Sequence, residues 1–200
     1  MLNLSSDAIT QALRSYHVRR QGRFAELFST GDIKKLRPAA VIIPIFQSEG
    51  RWHVLLTQRS RDLVEHSGQV AFPGGAMDIN DDDLQKTALR EMHEEIGIDP
   101  GEVFVFGHLG DMPVITGYLV RLYVGQIPCP YNLIINDDEV DSAFNIPLTW
   151  LAEPSHRFIQ YRSYAGRKFP VLFFDKFQGH RLWGASAEMM MSFLKALDLA

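Results

Sequence analysis

One stretch constrains the fold of this chain more than any other: residues 68–98, which read GQVAFPGGAMDINDDDLQKTALREMHEEIGI. Its second half has the periodicity of a helix, and at about 100° per residue Glu91, Glu94 and Glu95 fall within an arc of about 100°. The neighbouring arc carries apolar side chains that predict a buried face: Leu89, Met92 and Ile96. The sequence therefore predicts an amphipathic helix that concentrates three carboxylates beside a core.

Three carboxylates in one patch repel each other, and Glu91 and Glu95 form an unfavourable i,i+4 pair of like charges. A divalent cation would neutralise the patch, because carboxylate oxygens suit hard ions such as Mg²⁺ or Mn²⁺. An isolated pattern of this kind is more often a solvated helix face. The flanking residues favour a site instead, since Gly74 and Gly75 form a turn with little side-chain bulk and Gly97 suits the C′ position of the helix.

The run from Arg90 to Ile98, preceded by the two glycines, resembles the signature of the Nudix hydrolases. That family cleaves nucleoside diphosphates linked to another moiety, using metal held by a loop–helix–loop. The resemblance implies an α/β fold, a Nudix-type α/β/α sandwich with a mixed central sheet. It also implies that Glu91, Glu94 and Glu95 bind Mg²⁺ or Mn²⁺ and that Arg90 orients these glutamates.

The segment before the helix departs from the family pattern. The usual glutamate stands six residues after the second glycine and eight before the arginine, but here those positions fall on Asp81 and Asp82 respectively. The segment is thus one residue longer, and its acid is an aspartate. Because the family uses this acid mainly to support the loop through the arginine, we expect Arg90 to pair with Asp81, Asp82 or Asp83. Asn80 or Asp81 is the expected N-cap.

A second stretch, residues 55–75 (LLTQRSRDLVEHSGQVAFPGG), resembles the additional motif of the coenzyme A pyrophosphatase branch. Val64 stands where that motif has an arginine. The resemblance implies hydrolysis of coenzyme A or an acyl derivative to 3′,5′-ADP and 4′-phosphopantetheine. Two alternatives stay open: a Nudix pyrophosphatase acting on ADP-ribose, NADH or a dinucleoside polyphosphate, and a non-catalytic nucleotide-binding module.

Coenzyme A carries a pyrophosphate and a 3′-phosphate, so its binding requires cationic or amide donors besides a metal. Arg59 offers a planar fork for bidentate phosphate contact, although a salt bridge to Glu65 suits the sequence equally well. The predicted substrate-binding residues are Arg59, Ser60, His66, Gly68, Gly74 and Gly75. His66 has a second interpretation, a hydrogen bond within its own loop, and Thr116–Tyr118 is a weaker binding candidate.

A late acidic segment supplies one more candidate. Residues 136–140 read NDDEV and predict the start of a short helix that ends near Trp150. In family members an acidic residue in such a loop completes the metal site or acts as general base, and Glu139 corresponds best by its place before Val140. The alternative is an acid that favours the helix dipole. The resemblance therefore leaves Glu95 and Glu139 as candidate bases.

The remaining pattern divides the chain into an N-terminal helical extension, residues 1–35, and a Nudix domain, residues 36–200. Two helices are predicted outside the motifs, one over 4–28 and a last one from Ala185 or Ser186. A pair of strands is predicted at Pro38–Phe46 and Trp52–Arg59, and a hairpin at Arg157–Phe174. Two more strands, Glu102–Leu109 and Val114–Ile127, are predicted around a loop at Gly110–Pro113.

Composition narrows the function classes. A formal charge of −4 and a pI near 6.0 argue against nucleic acid held by bulk electrostatics. The single cysteine, Cys129, excludes an intrachain disulfide and fits a reducing compartment. No apolar run approaches the roughly 20 residues that span a bilayer, and the N-terminus does not read as a secretory signal. We expect a cytoplasmic enzyme whose partner is a nucleotide-derived small molecule, with no membrane or nucleic-acid partner. A homodimer stays open.

Overall fold

A computed structural model describes residues 4–16, 28–63, 66–164 and 166–200. Its helices are α1 (Ser6–Ser15), α2 (Thr30–Ile33), α3 (Leu84–Ile96), α4 (Leu148–Ala152) and α5 (Gly184–Ala196). Its strands are β1 (Arg37–Ser48), β2 (Arg51–Arg59), β3 (Val70–Ala71), β4 (Gly74–Ala76), β5 (Phe104–Val114), β6 (Tyr118–Gln126), β7 (Val140–Pro147), β8 (Arg157–Tyr164), β9 (Arg167–Phe177) and β10 (His180–Trp183). Within these ranges no helix has the length and apolar character to cross a membrane.

The central sheet is mixed. Its strands follow the order β3-β2-β1-β6-β5, with β4 also paired to β1 and β7 also paired to β2. Strand β1 runs parallel to β6 and antiparallel to β2, so the predicted hairpin is confirmed. A strand covered on both faces needs a nearly continuous apolar sequence. Ile42 and Ile43 show this, since both are fully buried and each belongs to the core on a different face of the sheet.

Helices cover both faces of this sheet, which gives the predicted α/β/α layers. Helix α3 covers one face through Ala88, Met92 and Ile96. The other face packs against α1, α4 and α5, to which Ile9 and Phe193 contribute. Strands β10, β9 and β8 form a separate antiparallel sheet, which confirms the hairpin predicted there. This second sheet packs against α5, as the contacts between α5 and its strands show.

Helix α3 begins and ends through local side-chain chemistry. Asp83 is its N-cap, and the Asp83 carboxylate accepts a hydrogen bond from the Lys86 amide at 2.9 Å. Gly97 ends the helix with φ 75°, a left-handed conformation that suits glycine. The predicted C-terminus is confirmed, but the predicted cap at Asn80 or Asp81 is wrong. The carboxylate of Asp81 instead bonds to the side chain of Arg90 and to the backbone amide of Asp78.

Two predicted elements differ from the structure. The expected loop at Gly110–Pro113 lies inside β5, which has register shifts against β6. Strand β5 is at the edge of the sheet, where proline is tolerated. The expected helix from Asn136 is a single turn followed by β7. Pairing of β7 with β2 overrides the local helical signal of the acidic residues.

The N-terminal helix is shorter than the sequence predicts. Helix α1 begins after the N-cap Ser5 and ends at Ser15, with Ile9 and Leu13 buried against the sheet. The rest of the predicted helix falls on residues 17–27, which lie outside the described residues. The division of the chain at residue 35 stays a prediction.

Candidate active site

At two positions the loop before α3 approaches its neighbours so closely that a Cβ would clash. A Cβ at Gly75 would lie 2.5 Å from the carboxyl carbon of Glu91. A Cβ at Gly74 would lie 2.3 Å from the backbone oxygen of Ala40, on the neighbouring strand β1. These distances are far below van der Waals contact, so β4 brings its backbone directly against a predicted ligand carboxylate.

The three glutamates of α3 lie in different environments. The side chain of Glu94 is 50% exposed, that of Glu91 is 16% exposed and that of Glu95 is only 3% exposed. Burial raises the pKa of Glu95 to about 8; Arg59 and the Gly74 amide oppose the shift, while Glu91 and Glu139 add to it. Without a further cation this carboxyl group is therefore mostly protonated at neutral pH.

Arg90 connects the loop to the helix. Its Nε and Nη2 donate hydrogen bonds to the two carboxylate oxygens of Asp81, at 3.0 and 2.9 Å. Its Nη1 lies 2.9 Å from Glu91 Oε1 and 2.8 Å from Glu94 Oε2. The hydrogen bond from Arg90 holds the pKa of Asp81 well below its usual range. Of the three aspartates predicted as partners, Asp81 is the one that pairs, whereas Asp82 forms an exposed ion pair with Lys86.

The donor set fits a hard divalent cation. In the part of the chain that the structure describes, no three His, Cys, Asp or Glu side chains are arranged to enclose an ion. Arg90 holds two of the glutamates, and Arg59 Nη1 lies 4.0 Å from Glu95 Oε1. The fit rests on the chemistry of the ligands, because every predicted ligand atom is a carboxylate oxygen. Burial, together with the charges of Glu94 and Glu139, also raises the pKa of Glu91. Arg90 thus offsets the effect of burial on Glu91 only in part.

A cavity of about 530 Å³ adjoins this cluster, and we call it the main cavity. Four of the predicted substrate-binding residues line it: Arg59, His66, Gly74 and Gly75. The weaker candidates Thr116 and Tyr118 line it as well. Most of the remaining wall is apolar and comprises Val41, Val70, Phe72, Val114, Val120 and Met189, among others. The cavity thus combines an apolar chamber with one cationic side chain near the carboxylates.

Arg59 has unused hydrogen-bonding capacity. Its Nε is buried and has no partner among the described residues. Its guanidinium faces Glu95 only at 4.0 Å, a distance too long for a hydrogen bond. The alternative partner Glu65 and the motif position Val64 lie outside the described residues. A planar guanidinium in this state can bind an anion that enters the cavity.

The other motif residues have different surroundings. Ser60 is buried, and its hydroxyl accepts a hydrogen bond from the Asp62 amide at 3.3 Å rather than lining the main cavity. The Nδ1 of His66 lies 3.0 Å from Gln69 Oε1, and both residues line the cavity. Gly68 lies at a neighbouring cleft. The structure thus places Arg59 and His66 at the cavity and gives Ser60 a role in the turn.

Glu139 lies beside this cluster although its predicted secondary structure is wrong. It stands in the turn before β7, and its backbone oxygen accepts a hydrogen bond from the Ser60 amide at 2.8 Å. Its carboxylate accepts a weak hydrogen bond from Asn136 Nδ2 at 3.4 Å. The negative charge of Glu139 raises the pKa values of both Glu91 and Glu95, which places it in the same electrostatic group.

No pattern in the sequence indicates one wall of the main cavity. Trp183, Ala185, Ser186 and Met189 contribute it from the end of β10 and the start of α5. They stand about a hundred residues from the catalytic motif, and no local pattern relates them to it. The conformation of Gly184, with φ 63°, is the one local feature of this junction that glycine alone favours.

The chain is similar to several known proteins. A family model described as the NUDIX domain matches residues 35–166. The uncharacterized Nudix hydrolase NudL of Citrobacter koseri is 39% identical over 153 residues, which cover 76% of this chain and 73% of that protein. The protein of the same name from Escherichia fergusonii is 41% identical over 147 residues, covering 74% and 70%. Among solved structures, the Nudix hydrolase RenU of M. smegmatis has 20% identity and a TM-score of 0.49, covering 58% of this chain and 73% of that one.

Proposed function

The chain belongs to the Nudix hydrolase family, and from that premise we propose that it cleaves the pyrophosphate bond of coenzyme A or an acyl derivative. The products are 3′,5′-ADP and 4′-phosphopantetheine or its acyl form. One observation carries the proposal: Arg59, from the coenzyme A motif, lies between the main cavity and the buried carboxylate of Glu95 with its Nε unpaired among the described residues.

Nudix hydrolases generally use divalent metal ions. Bound by Glu91, Glu94 and Glu95, Mg²⁺ or Mn²⁺ would neutralise phosphate oxygens and lower the pKa of the attacking water. Arg90 is a positioning residue in this proposal, because it contacts Asp81, Glu91 and Glu94. It therefore sets where two of the ligand carboxylates lie relative to the loop.

The residues at the main cavity bind and orient the substrate. Arg59 donates to a pyrophosphate oxygen, because its fork geometry matches two oxygens of one phosphate. Gly74 and Gly75 let a phosphate approach the backbone, since neither position has a Cβ. Water attacks one phosphorus, the bond from that phosphorus to the bridging oxygen breaks, and the leaving phosphate carries the electron pair of that bond.

The proton of the attacking water passes to a carboxylate, and two candidates remain. Glu95 is the more buried, and its raised pKa reflects a strong tendency to hold a proton. Glu139 is half-buried and lies next to the turn that begins at Ser60. Replacing Glu139 with glutamine separates these roles: a large loss of kcat assigns the base to Glu139, and a small loss leaves Glu95.

The apolar character of the main cavity supports coenzyme A over the other substrates. The pantetheine arm is long and carries few charges, so a chamber walled by residues such as Val41, Phe72 and Met189 suits it. ADP-ribose, NADH and dinucleoside polyphosphates carry a second ribose at that end, with hydroxyls that apolar walls leave unpaired. Val64, at the position where the motif has an arginine, keeps this second group of substrates as the alternative. A non-catalytic module is disfavoured because all three glutamates are present.

A substrate panel tests the proposal. Coenzyme A, acetyl coenzyme A, ADP-ribose, NADH and a dinucleoside polyphosphate are incubated with Mg²⁺ or Mn²⁺, and products are separated by chromatography. The expected result is a kcat/KM for coenzyme A or its acetyl derivative at least about 10-fold above the others, with 3′,5′-ADP as product. A higher kcat/KM for ADP-ribose or NADH would overturn the substrate assignment. The Glu95→Gln variant controls for contaminating phosphatase.

A further inference from the structure

A second cleft, of about 340 Å³, adjoins the main cavity. The two spaces share Val70 and Trp183 as wall residues. Two arginines line the second cleft, Arg162 from β8 and Arg181 from β10, and we call it the arginine cleft. The proposed reaction assigns no role to it. The shared wall residues show that the two spaces are neighbours.

A row of aromatic rings crosses the second sheet, and two of its members, Phe173 and Trp183, line the arginine cleft. Phe158, Phe173 and Trp183 lie opposite one another in the register of β8, β9 and β10. Phe158 stacks on Phe173 with centroids 5.5 Å apart, and Phe173 stacks on Trp183 at 5.6 Å, with interplanar angles of 12° and 6°. Trp183 remains partly exposed, whereas Phe173 is buried. A planar ring of a ligand can therefore lie against Trp183 at the end of this row.

The two arginines lie beside the aromatic row, and among the described residues neither has an anionic partner. Arg162 lies with its guanidinium carbon 5.6 Å from the Phe173 ring centroid, and Arg181 lies 5.8 Å from that of Phe158. Among the described residues neither forms an ion pair, and Arg162 donates only to the neutral Gln160. Arg121, by contrast, pairs with both carboxylate oxygens of Asp111. Two unpaired guanidiniums beside one cleft favour an anion.

The end of β2 borders both spaces. Gln58 and Arg59 are consecutive in β2, and Gln58 lines the arginine cleft while Arg59 lines the main cavity. A pyrophosphate held at Arg59 thus has one arm that can enter the apolar chamber and one that can enter the arginine cleft. The two arms differ in charge. An apolar arm suits the main cavity, and a phosphorylated arm that carries a ring suits the arginine cleft.

We propose that the arginine cleft is a subsite for a phosphate monoester on the nucleoside arm of the substrate, with the phosphate between Arg162 and Arg181 and the base against Trp183. The inference deepens the proposed function and rests on it for the identity of the substrate, since in coenzyme A this group is the 3′-phosphate. It predicts that the enzyme selects pyrophosphates whose nucleoside carries an additional phosphate.

The kinetic test compares coenzyme A with dephospho-coenzyme A, which lacks only this phosphate. Hydrogen bonds to charged groups predict a wild-type kcat/KM ratio of about 10- to 100-fold in favour of coenzyme A. In the variant Arg162→Gln/Arg181→Gln the ratio falls towards one, while kcat/KM for dephospho-coenzyme A changes little. Glutamine keeps part of the aliphatic stem that covers the aromatic row. The matched control is Arg51→Gln, which removes an exposed arginine at the β1–β2 turn.

A binding test keeps the inference separate from the proposed function, because it requires no hydrolysis. Calorimetry measures adenosine 3′,5′-bisphosphate, 5′-AMP and inorganic phosphate on the wild type and on the double variant. We expect the bisphosphate to bind at least about 10-fold more tightly than 5′-AMP, and the variant to lose that difference.

The outcomes of these tests distinguish the substrate assignment from the proposed phosphate subsite. If coenzyme A is not hydrolysed but the arginine-dependent preference for the bisphosphate remains, the substrate assignment fails and the subsite stands. Equal binding of bisphosphate and 5′-AMP, a ratio unchanged in the variant, or phosphate binding as tightly as the bisphosphate would overturn the subsite. If the double variant does not fold, the single variants Arg162→Gln and Arg181→Gln give the same comparison.

Discussion

Arg90 binds Asp81 through both carboxylate oxygens, at 3.0 and 2.9 Å, and so fastens the loop before α3 to the middle of that helix. The hydroxyl of Thr87 donates to the same carboxylate at 2.9 Å, and the Asp78 amide donates at 2.9 Å. A buried aspartate with this number of donors replaces the glutamate that the family pattern places there. The longer loop, one residue beyond that pattern, compensates for the shorter side chain.

Asp81→Asn should destabilise the protein by about 2 kcal/mol, because the substitution removes a charge-assisted pair whose partner remains. The pKa of Asp81 is depressed, so its stabilisation is present above its unfolded pKa of 3.8 and is lost as the pH falls. Urea unfolding measures the change. Asp82→Asn is the matched control, since that carboxylate is 74% exposed and should shift stability by at most about 0.5 kcal/mol. Equal losses in both variants would contradict the role of Asp81.

Replacing either Glu94 or Glu95 with glutamine should reduce kcat by about 10²- to 10⁴-fold while the protein remains folded. Each substitution removes a negatively charged ligand of the divalent ion, and Glu95→Gln also removes a candidate base. Steady-state turnover with Mg²⁺ and circular dichroism provide the measurements. Glu49→Gln, at a carboxylate that is 81% exposed in the β1–β2 turn, is the control. Turnover near that of the wild type in both variants would remove these residues from the site.

Glu95 should make the metal-free protein less stable as the pH rises. Its carboxyl has a pKa of about 8 in the folded protein and 4.5 in the unfolded chain, so the folded state binds more protons between these values. The stabilisation is therefore fully present below about pH 4.5 and is lost as the pH rises through about 8.

Glu95→Gln removes this titration. In the presence of a chelator the variant should melt about 2–6 °C above the wild type near pH 9, with a smaller difference near pH 5. Thermal unfolding at both pH values checks the sign, and Glu49→Gln should leave the difference at zero. If the wild type melted at the same temperature as the variant near pH 9, burial would not destabilise the charged form of Glu95.

Arg59→Ala should reduce kcat/KM by about 10-fold or more on both coenzyme A and ADP-ribose, because both substrates carry the pyrophosphate that Arg59 contacts in the proposed function. The branch motif supplies Arg59, and its buried Nε has no partner in the described part of the chain. The control is Arg61→Ala, at a side chain that is 79% exposed and lies 3.7 Å from Asp141. A loss on both substrates no larger than that of Arg61→Ala would mean that Arg59 does not contact the pyrophosphate.

The predictable parts of the site are those that depend on local chemistry. Helix α3 and its end at Gly97 follow from an amphipathic pattern and a glycine in a left-handed conformation. The wrong predictions concern segments whose structure depends on pairing with strands far away in the sequence. Residues 136–140 have the acids of a helix N-terminus, yet β7 is stabilised by β2, which lies about eighty residues away in sequence. Gly110 and Pro113 are typical of a loop, but an edge strand tolerates both.

The wall formed by Trp183, Gly184 and Met189 has a consequence for how such enzymes diversify. These residues lie beyond the segment, 35–166, that the family model matches, whereas the glutamates and Arg59 lie within it. The predicted metal ligands and this wall, which supplies 5 of the 21 residues that line the chamber, thus lie in different parts of the sequence. An exchange of only the last part of the coding sequence would change this wall while every predicted metal ligand stayed in place.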